Sequence, residues 1–295
     1  MDRAANANKL YRVAKELTKE DGTVRKTYDA YKPLKDIHSR IKLEILDQVS
    51  FPHYLTGSIK GQDYKTNATL HCGAKIVISE DVSNFFPATT SALIFDVWHQ
   101  FFGFSHEVAT CLTQLTTLNG ELPQGAITSP QLANLVFWRD EPTVHTKLAL
   151  KGITYSRFVD DVAVSSREYM TAADKTYAIA MIYGIMKKRG YKPKRKKHEI
   201  TTASARMTVT KLTVNEKPGL ARTERSKIRA IVYHFERDVS DGVRNEYTLQ
   251  EWPKVVGKVA LLKRFHPGKA ASLTKRLNAV KQIINPKVDD RQRID

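Results

Sequence analysis

The stretch YSRFVDDVAVSS, residues 155–166, decides the fold of this chain. Residues 153–159 and 162–166 are rich in β-branched and aromatic side chains, which predicts two neighbouring strands. Asp160 and Asp161 lie between these strands and predict a tight connection. Two adjacent carboxylates at a hairpin tip repel each other, so a bound divalent cation would favour the pair. An ordinary solvated turn is the alternative.

The composition predicts a folded protein that binds polyanions. The 295 residues suffice for one large or two modest domains, and 41% of them are hydrophobic. The formal net charge of +17, from 48 Lys+Arg against 31 Asp+Glu, favours salt-sensitive binding to polyanions. No apolar run reaches membrane-spanning length, and no signal-peptide pattern opens the chain. We therefore expect no membrane contact. Cys72 and Cys111 form neither a disulfide framework nor a zinc cluster, which predicts a reducing, cytoplasmic setting.

The N-terminal part of the chain predicts a helix followed by a hairpin. Residues 8–20 favour a helix, and KEDGTVRKTYDAYKPLK is expected to turn at Asp21-Gly22. Arg25 and Lys26 then lie on the second strand of the hairpin. Solvated strand charges are the alternative reading of these two cations.

A third carboxylate follows a buried strand. Residues 34–49 carry the pattern of an amphipathic helix, and residues 57–71 are expected to form a polar loop. Residues 74–80, AKIVISE, predict a buried strand that carries Asp81 at its end. The end of a rigid strand suits a metal ligand, although an ordinary turn or N-cap aspartate fits equally well.

The loop LPQGAIT, residues 122–128, is predicted to expose Gln124 just ahead of a helix. Ser129-Pro130 predicts the start of that helix, with Ser as N-cap and Pro at the first helical position. Pro142 is expected to end or kink it. Two helices are predicted upstream of the loop, at residues 91–102 and 108–118.

The segment after the hairpin is densely basic. A helix predicted over residues 171–189 ends at Gly190, and eight of the eleven residues 187–197 are Lys or Arg. Such a density favours contact with a polyanion over a merely solvated face. A strand is predicted at residues 207–214.

The C-terminal part predicts a basic helical domain. Three helices are expected from Arg222 onward, with breaks near Gly242 and near Pro267-Gly268. Between Trp252 and Val288 there are nine Lys or Arg and no Asp or Glu. We expect an amphipathic domain with a purely basic face that clamps a nucleic-acid backbone.

The three carboxylates Asp81, Asp160 and Asp161 form a candidate metal site. Such a set can hold two divalent cations about 4 Å apart, and Mg²⁺ suits oxygen ligands. Adjacent strand residues point to opposite faces, so Asp160 and Asp161 should not contribute equally. We assign Asp81 and Asp160 as principal ligands and Asp161 as a supporting one.

The ordered set SEDVSNFFP, LPQGAITSP and FVDD resembles the palm motifs of reverse transcriptases, with similarity over about residues 19–235. NATLH resembles the Asn-Ala-x-x-His element of the bacterial retron branch, which makes Asn67 and His71 either RNA-positioning or structural residues. VTKLTVN departs from the retron Val-Thr-Gly motif at Lys211, and Phe158-Val159 replaces the usual Tyr-Ala. Neither departure removes a metal ligand.

The resemblance implies further site residues. Arg25 and Lys26 would grip the incoming triphosphate, and Phe86 would exclude a 2′-hydroxyl, although a plain core aromatic is the alternative. Gln124 would line the nucleotide and template pocket. Lys194, Lys196 and Lys197 would lie near the phosphates, and the resemblance does not decide which of them acts; Lys196 is assigned to the nucleotide. Contacts to nucleic acid are expected at residues of the same segments and of the basic helices: Asn67, His71, Lys194, Lys197, Lys263, Arg264, Lys275 and Arg276.

These expectations combine into an α+β right-hand polymerase. Fingers and palm would occupy residues 1–219, the palm mainly 72–90 and 122–219, and a basic helical thumb residues 220–295. The resemblance implies RNA-directed DNA synthesis with two Mg²⁺ and dNTPs, on a cognate structured non-coding RNA that serves as template and primer.

The implied product is a branched RNA–DNA molecule, made within a bacterial anti-phage system whose effector is a separate polypeptide, since the chain has no room for one. Two alternatives remain. One is another bacterial defence or intron-type reverse transcriptase, and the other is a non-catalytic RNA-binding scaffold of the same fold.

Overall fold

A computed structural model of the chain describes residues 6–18, 22, 24–242 and 246–284. The chain divides into two compact units. One contains the residues up to 210 together with 214–216, and the other contains 211–213 and the residues from 217 onward. The boundary between residues 219 and 220, and the division into fingers, palm and thumb, stay predictions.

The larger unit is built around a four-stranded antiparallel sheet with strand order β4-β5-β3-β6. The strands of the chain are β1 Tyr11–Thr18, β2 Val24–Ala30, β3 Ile76–Asp81, β4 Thr154–Phe158, β5 Asp161–Ser166, β6 Glu199–Thr202, β7 Thr208–Val209 and β8 Leu212–Thr213. Strand β3 is a central strand and is buried along almost its whole length, which explains its continuous run of apolar residues.

Helices cover this sheet and complete the core of the larger unit. They are α1 Lys32–Glu44, α2 Tyr64–Leu70, α3 Phe85–Ala88, α4 Ser91–Asp96, α5 His106–Thr116, α6 Ser129–Leu135, α7 Glu141–Ala149 and α8 Ala172–Lys188. Short 3₁₀ turns lie at Ala7–Leu10, Leu46–Gln48 and Arg195–Lys197, and a π-helical turn lies at Val97–Phe101. The predicted α+β class is confirmed.

The helix predicted for residues 8–20 is wrong, because residues 11–18 form β1. This strand pairs with β2 from Tyr11 opposite Ala30 to Thr18 opposite Val24. The cross-strand pairing outweighs the helix propensity of AKEL, residues 14–17. Arg25 and Lys26 lie on β2 as predicted. The expected turn residue Asp21 lies outside the described residues.

Three further local predictions are corrected. The segment 57–71, which was expected to be a loop, contains α2. Asp63 is the N-cap of this helix, and its Oδ1 accepts hydrogen bonds from the Lys65 and Thr66 amides. Pro142 lies in the first turn of α7 and does not end α6. The strand predicted at 207–214 is split into β7 and β8, because the two residues between them, 210 and 211, have positive φ.

The second unit contains the three predicted helices, α9 Arg222–Ser240, α10 Glu246–Phe265 and α11 Pro267–Ile284. They pack on one another through buried aliphatic side chains such as Val232, Leu262 and Leu273. Among the described helices of the chain, none combines the length and the apolar character needed to cross a membrane.

Candidate active site

The hairpin between β4 and β5 carries the Asp-Asp pair in a tight turn. Phe158 pairs with Asp161 across the hairpin, so Val159 and Asp160 form the connection. The prediction that both aspartates lie in the connection is corrected, because Asp161 is the first residue of β5. Val159 has φ 60°, a left-handed conformation that is strained for a β-branched residue and is found mainly where surrounding contacts enforce it.

A buried ion pair holds this turn from behind. Arg157 is fully buried, and its Nη1 donates to the Val159 carbonyl at 3.0 Å. Its Nε and Nη2 donate to the Glu141 carboxylate on α7 at 2.6 and 2.8 Å. A buried charge needs such a paired partner, so the guanidinium is fixed in one orientation. That orientation fixes the carbonyl before Asp160.

Gly57 lets the main chain approach the same turn closely. A Cβ atom at position 57 would lie 2.7 Å from the Val159 amide nitrogen, closer than real Cβ contacts allow. The Gly57 carbonyl accepts a hydrogen bond from Asn134 Nδ2 at 2.7 Å. Only glycine therefore fits between α6 and the Asp160 turn.

Asn67 and His71 also support the hairpin. Each is only 1% exposed, which favours the structural alternative over a direct contact with RNA. Asn67 Oδ1 accepts a hydrogen bond from Thr56, next to Gly57, at 2.8 Å. The His71 ring lies 2.7 Å from both the Ser156 and the Ser165 hydroxyls, which joins β4 to β5. Burial lowers the pKa of His71 to about 4, so the ring is neutral.

The three predicted carboxylates meet at one end of the two central strands of the sheet. Asp81 and Asp161 are register partners of β3 and β5, and Asp160 lies next to them in the turn. Burial and the charge of Asp81 raise the pKa of Asp160. Desolvation by the surrounding protein and the charges of Asp160 and Asp81 raise the pKa of Asp161, although the residue keeps contact with solvent. The mutual repulsion of the three carboxylates therefore favours the binding of a cation.

The donor set fits divalent cations in its chemistry, since all three side chains offer oxygen ligands. The described side chains include no preformed cluster of three or more His, Cys, Asp or Glu in metal-binding geometry. Instead the Lys197 ammonium contacts Asp81 and supplies a positive charge. Contact with Asp81 and the charges of Asp161 and Asp160 raise the pKa of Lys197, despite the opposing effect of partial burial.

A cavity of about 480 Å³ opens in front of Asp81 and Asp160. Its lining includes four of the five predicted nucleotide-site residues, Arg25, Lys26, Phe86 and Gln124, together with Lys194 and Lys197, which were predicted to contact nucleic acid. Lys196 was expected to bind the nucleotide, yet it is exposed and lies outside this lining. The sequence pattern did not distinguish it from its neighbours, because three lysines lie within four residues.

The LPQG loop is docked on β2 at the mouth of the cavity. Arg25 Nε donates to Gln124 Oε1 at 2.8 Å, and the Tyr28 amide donates to the Gln124 carbonyl at 2.7 Å. Ser129 does not act as the N-cap of α6, because its hydroxyl donates to the Pro123 carbonyl at 2.6 Å. This bond fixes the loop and thereby the position of Gln124.

The predicted nucleic-acid residues of the second unit differ in their surroundings. Lys263 and Lys275 are exposed, and the Arg264 guanidinium lies 5.6 Å from the centre of the Phe265 ring. Arg276 forms an ion pair with Glu236 on α9, with Nε 2.8 Å from Oε1. The expected purely basic face is therefore corrected, because α9 supplies the Glu236 carboxylate and α10 carries Glu251, which pairs with Lys254.

A second cationic surface of this unit was not predicted. Arg222, Arg225 and Arg229 follow one another at spacings of three and four on α9, which places them on one face. With Lys269 and Ser272 they line a groove of about 380 Å³ in which none of the described lining residues is acidic. Arg225 and Lys269 also contribute, after burial, to the lowered pKa of His266. The arginine spacing was the sequence signal that could have revealed this groove.

Comparisons with known proteins agree with this geometry. The sequence model of reverse transcriptase (RNA-dependent DNA polymerase) matches residues 17–231. The retron Se72 reverse transcriptase of Salmonella heidelberg (strain 579083-10) is 31% identical over 287 residues, 95% of this chain and 74% of that protein. The retron Ec86 reverse transcriptase of Escherichia coli is 29% identical over 213 residues, 72% of this chain and 65% of that protein.

Among solved structures, telomerase from Candida albicans in complex with a fragment of telomeric RNA aligns with a TM-score of 0.46 at 10% identity, over 82% of this chain and 47% of that one. The sequence matches show that the chain belongs to the reverse transcriptase family, the RNA-directed DNA polymerases. Within the family it is a retron-type enzyme. Such an enzyme takes an RNA template, and the family generally depends on a divalent metal.

Proposed function

We propose that the chain copies part of a cognate structured non-coding RNA into DNA, from a guanosine 2′-hydroxyl of that RNA, and leaves a branched RNA–DNA product. The observation that carries this proposal is the cavity in which Asp81 and Asp160 face the cations Arg25 and Lys26. Carboxylates opposite cations provide separate places for metal ions and for the phosphates of a nucleotide. The names of the retron relatives support a retron-type reverse transcriptase, and the choice of RNA and product extends that assignment by resemblance.

Two Mg²⁺ ions are the proposed cofactors, with Asp81 and Asp160 as principal ligands and Asp161 as support. These residues would hold ions that, when bound, would supply a lower pKa for the attacking hydroxyl and charge neutralisation for the leaving pyrophosphate. Lys197 contacts Asp81 in the described arrangement, so it would exchange this contact for the nucleotide phosphates when the site is loaded.

The cavity side chains select and orient the nucleotide. Arg25 and Lys26 would bind the triphosphate of a dNTP, and the hydrogen bond from Arg25 to Gln124 holds the guanidinium in place. Phe86 lines the cavity five residues after Asp81. Its ring would lie beneath the sugar and clash with a 2′-hydroxyl, so ribonucleotides are excluded.

The second unit would hold the RNA and its DNA product by their phosphates. The row Arg222, Arg225 and Arg229 is the strongest candidate, because its groove contains cations and a hydroxyl without a described acid. Lys263 and Lys275 are exposed and would add to the same electrostatic attraction. Arg276 contributes less, since Glu236 offsets its charge.

The proposed setting is the bacterial cytoplasm, within an anti-phage system that pairs the enzyme and its nucleic acid with a separate effector protein. The two free cysteines, both half-buried, agree with a reducing compartment. The effector follows from the resemblance to retrons and has no surface assigned to it.

Sequencing of nucleic acid that copurifies with the protein tests the proposal. We expect branched, partly RNase-resistant DNA with the wild-type protein and none with the Asp160→Asn/Asp161→Asn double variant. Unbranched DNA in the wild type would favour another defence or intron-type reverse transcriptase. Full phage protection by the double variant would instead favour the non-catalytic scaffold.

A further inference from the structure

A buried carboxylate lies directly behind the catalytic strand end. Glu80 precedes Asp81 on β3, and its side chain is fully buried. His198 Nδ1 donates to Glu80 Oε1 at 2.6 Å, and the Tyr183 hydroxyl of α8 donates to Oε2 at 3.1 Å. None of these three side chains lines the nucleotide cavity as described.

The segment that carries His198 also carries the cavity lysines. Its first part follows β3, since the Ser83 amide donates to the Lys192 carbonyl and the Lys194 amide to the Asp81 carbonyl, at 2.8 and 2.7 Å. The 3₁₀ turn Arg195–Lys197 then projects into solvent. From Lys194 to His198 the sequence KRKKH offers no apolar side chain, so burial of hydrophobic surface cannot fix this turn.

Two neighbouring residues of the segment hold two neighbouring residues of β3. Lys197 contacts Asp81, and His198 contacts Glu80. Because successive strand side chains point to opposite faces, the two contacts lie on opposite faces of β3. The segment therefore grips the strand from both sides.

The two contacts differ in strength. The Lys197 side chain is 53% exposed, and exposed ion pairs contribute little by themselves. Glu80 is sealed from solvent and needs its hydrogen-bond donors, because an unpartnered buried carboxylate is costly. The Glu80 contact therefore contributes more than the Lys197 contact to the position of the turn, beside the main-chain bonds of Lys194 and the pairing of Glu199 with Ser79.

We propose that His198, anchored by Glu80 and Tyr183, is a positioning residue that holds the Lys197 ammonium beside Asp81, from where it exchanges to the phosphates of the incoming nucleotide. This inference rests on the proposed binding of dNTPs in the cavity. It assigns the catalytic contact to Lys197 and a supporting role to the three residues behind it.

Steady-state kinetics of the full chain on poly(rA)/oligo(dT) with dTTP test this role. We expect His198→Ala to raise the KM for dTTP about ten-fold with primer–template affinity close to wild type, and to lower Tm because buried Glu80 loses a donor. His198→Asn should restore much of the loss, because its amide can donate in place of Nδ1. Glu199→Gln, an exposed carboxylate change on the next residue, is the matched control and should leave all three quantities unchanged.

A double-variant cycle separates this role from a general structural one. In a Lys197→Ala background, His198→Ala should add no further increase in the KM for dTTP, because the ammonium that His198 positions is absent. If His198→Ala does not fold, Tyr183→Phe removes one donor to Glu80 and should raise the KM for dTTP by a smaller factor.

Three outcomes would overturn the inference. They are an unchanged KM for dTTP in His198→Ala, additive increases in KM in the Lys197→Ala/His198→Ala variant, or a KM in His198→Asn as high as in His198→Ala. Activity of the wild type is the reference in each case. An inactive wild type would contradict the proposed function, whereas an active wild type with an unaffected His198→Ala contradicts only the positioning role.

Discussion

Asp81 on β3 lies directly opposite Asp161 on β5 in the antiparallel register. Like charges in opposite positions of a sheet destabilise the pairing. Asp160 adds a third carboxylate in the adjoining turn. Three negative charges therefore lie close together at the end of the central strands, and a bound cation would reduce their mutual repulsion.

Neutralising one of these carboxylates should stabilise the metal-free protein. Asp161→Asn removes its repulsion with Asp81 and Asp160, and we expect a gain of up to about 1 kcal/mol in EDTA. The measurement is Tm by differential scanning fluorimetry in EDTA and in MgCl₂, where the Mg²⁺-induced rise should shrink. Asp36→Asn, which removes an exposed carboxylate paired with Lys32, is the control and should not raise Tm. A lower Tm for Asp161→Asn in EDTA would contradict this account.

Removing the ring of Phe86 should relax sugar discrimination. Phe86 lines the cavity beside Asp81, and Phe86→Ala opens space where a 2′-hydroxyl would clash. We expect the ratio of kcat/KM for dNTP over rNTP to fall by about 10- to 100-fold, measured by primer extension. Phe101→Ala, an aromatic change at an exposed position, should leave the ratio unchanged. An unaltered ratio in Phe86→Ala would assign this ring to the core.

A methyl group at position 57 should displace the catalytic turn. Its Cβ would meet the Val159 main chain at 2.7 Å, and misplacement of a catalytic group by about 1 Å can cost 100-fold in rate. We expect Gly57→Ala to lower kcat strongly while the KM for dNTP changes little. Gly184→Ala on α8, where an added methyl would meet no described atom within 4 Å, should keep kcat and slightly raise Tm. Equal kcat values for the two variants would rule out the close approach.

The buried ring of His71 should make stability depend on pH. Its folded pKa of about 4 lies below the ordinary 6.5, so the unfolded state takes up the proton first as the pH falls. The stabilisation is complete above pH 6.5 and is lost toward pH 4, by at most about 3 kcal/mol. Urea unfolding across this range should show a steeper loss in the wild type than in His71→Gln. Parallel curves would mean that the ring is not held neutral.

The arginine row on α9 should govern salt-dependent binding of RNA. Replacing Arg222, Arg225 and Arg229 by alanine removes up to three phosphate contacts. The slope of log K against log salt should then become shallower by about 2 to 3, with weaker affinity for every RNA tested. Arg237→Ala, whose guanidinium faces Asp241 on the same helix, is the control and should leave the slope nearly unchanged. If the triple variant kept the wild-type salt dependence, this groove would not be an RNA-binding surface.

Much of the fold could be predicted because its signals are local. The buried strand β3, the hairpin that carries Asp160 and the breaks between α9, α10 and α11 follow from short patterns of apolar residues, glycine and proline. Strand β1 could not be predicted, because its pairing with β2 decides its conformation against local helix propensity.

The sequence motifs predicted most of the cavity lining, but they did not predict the contacts that support it. Lys197 rather than Lys196 reaches Asp81, and that choice depends on the phase of a 3₁₀ turn. The buried positions of Asn67 and His71 depend on α2, whose N-cap Asp63 was a missed signal. The pairing of Glu80 with His198 joins residues 118 positions apart, which no local pattern encodes.

The turn that bears Asp160 is braced by Gly57, Arg157 and His71, and the described lining of the nucleotide cavity contains none of these three. In the proposed function, placement of the catalytic aspartate and choice of substrate are thus separate tasks for separate residues. A mutant library confined to Phe86, Gln124 and their cavity neighbours could therefore search for acceptance of modified nucleotides without disturbing the brace. The same separation leaves evolution free to change the substrate range of such an enzyme while its catalytic hairpin stays constant.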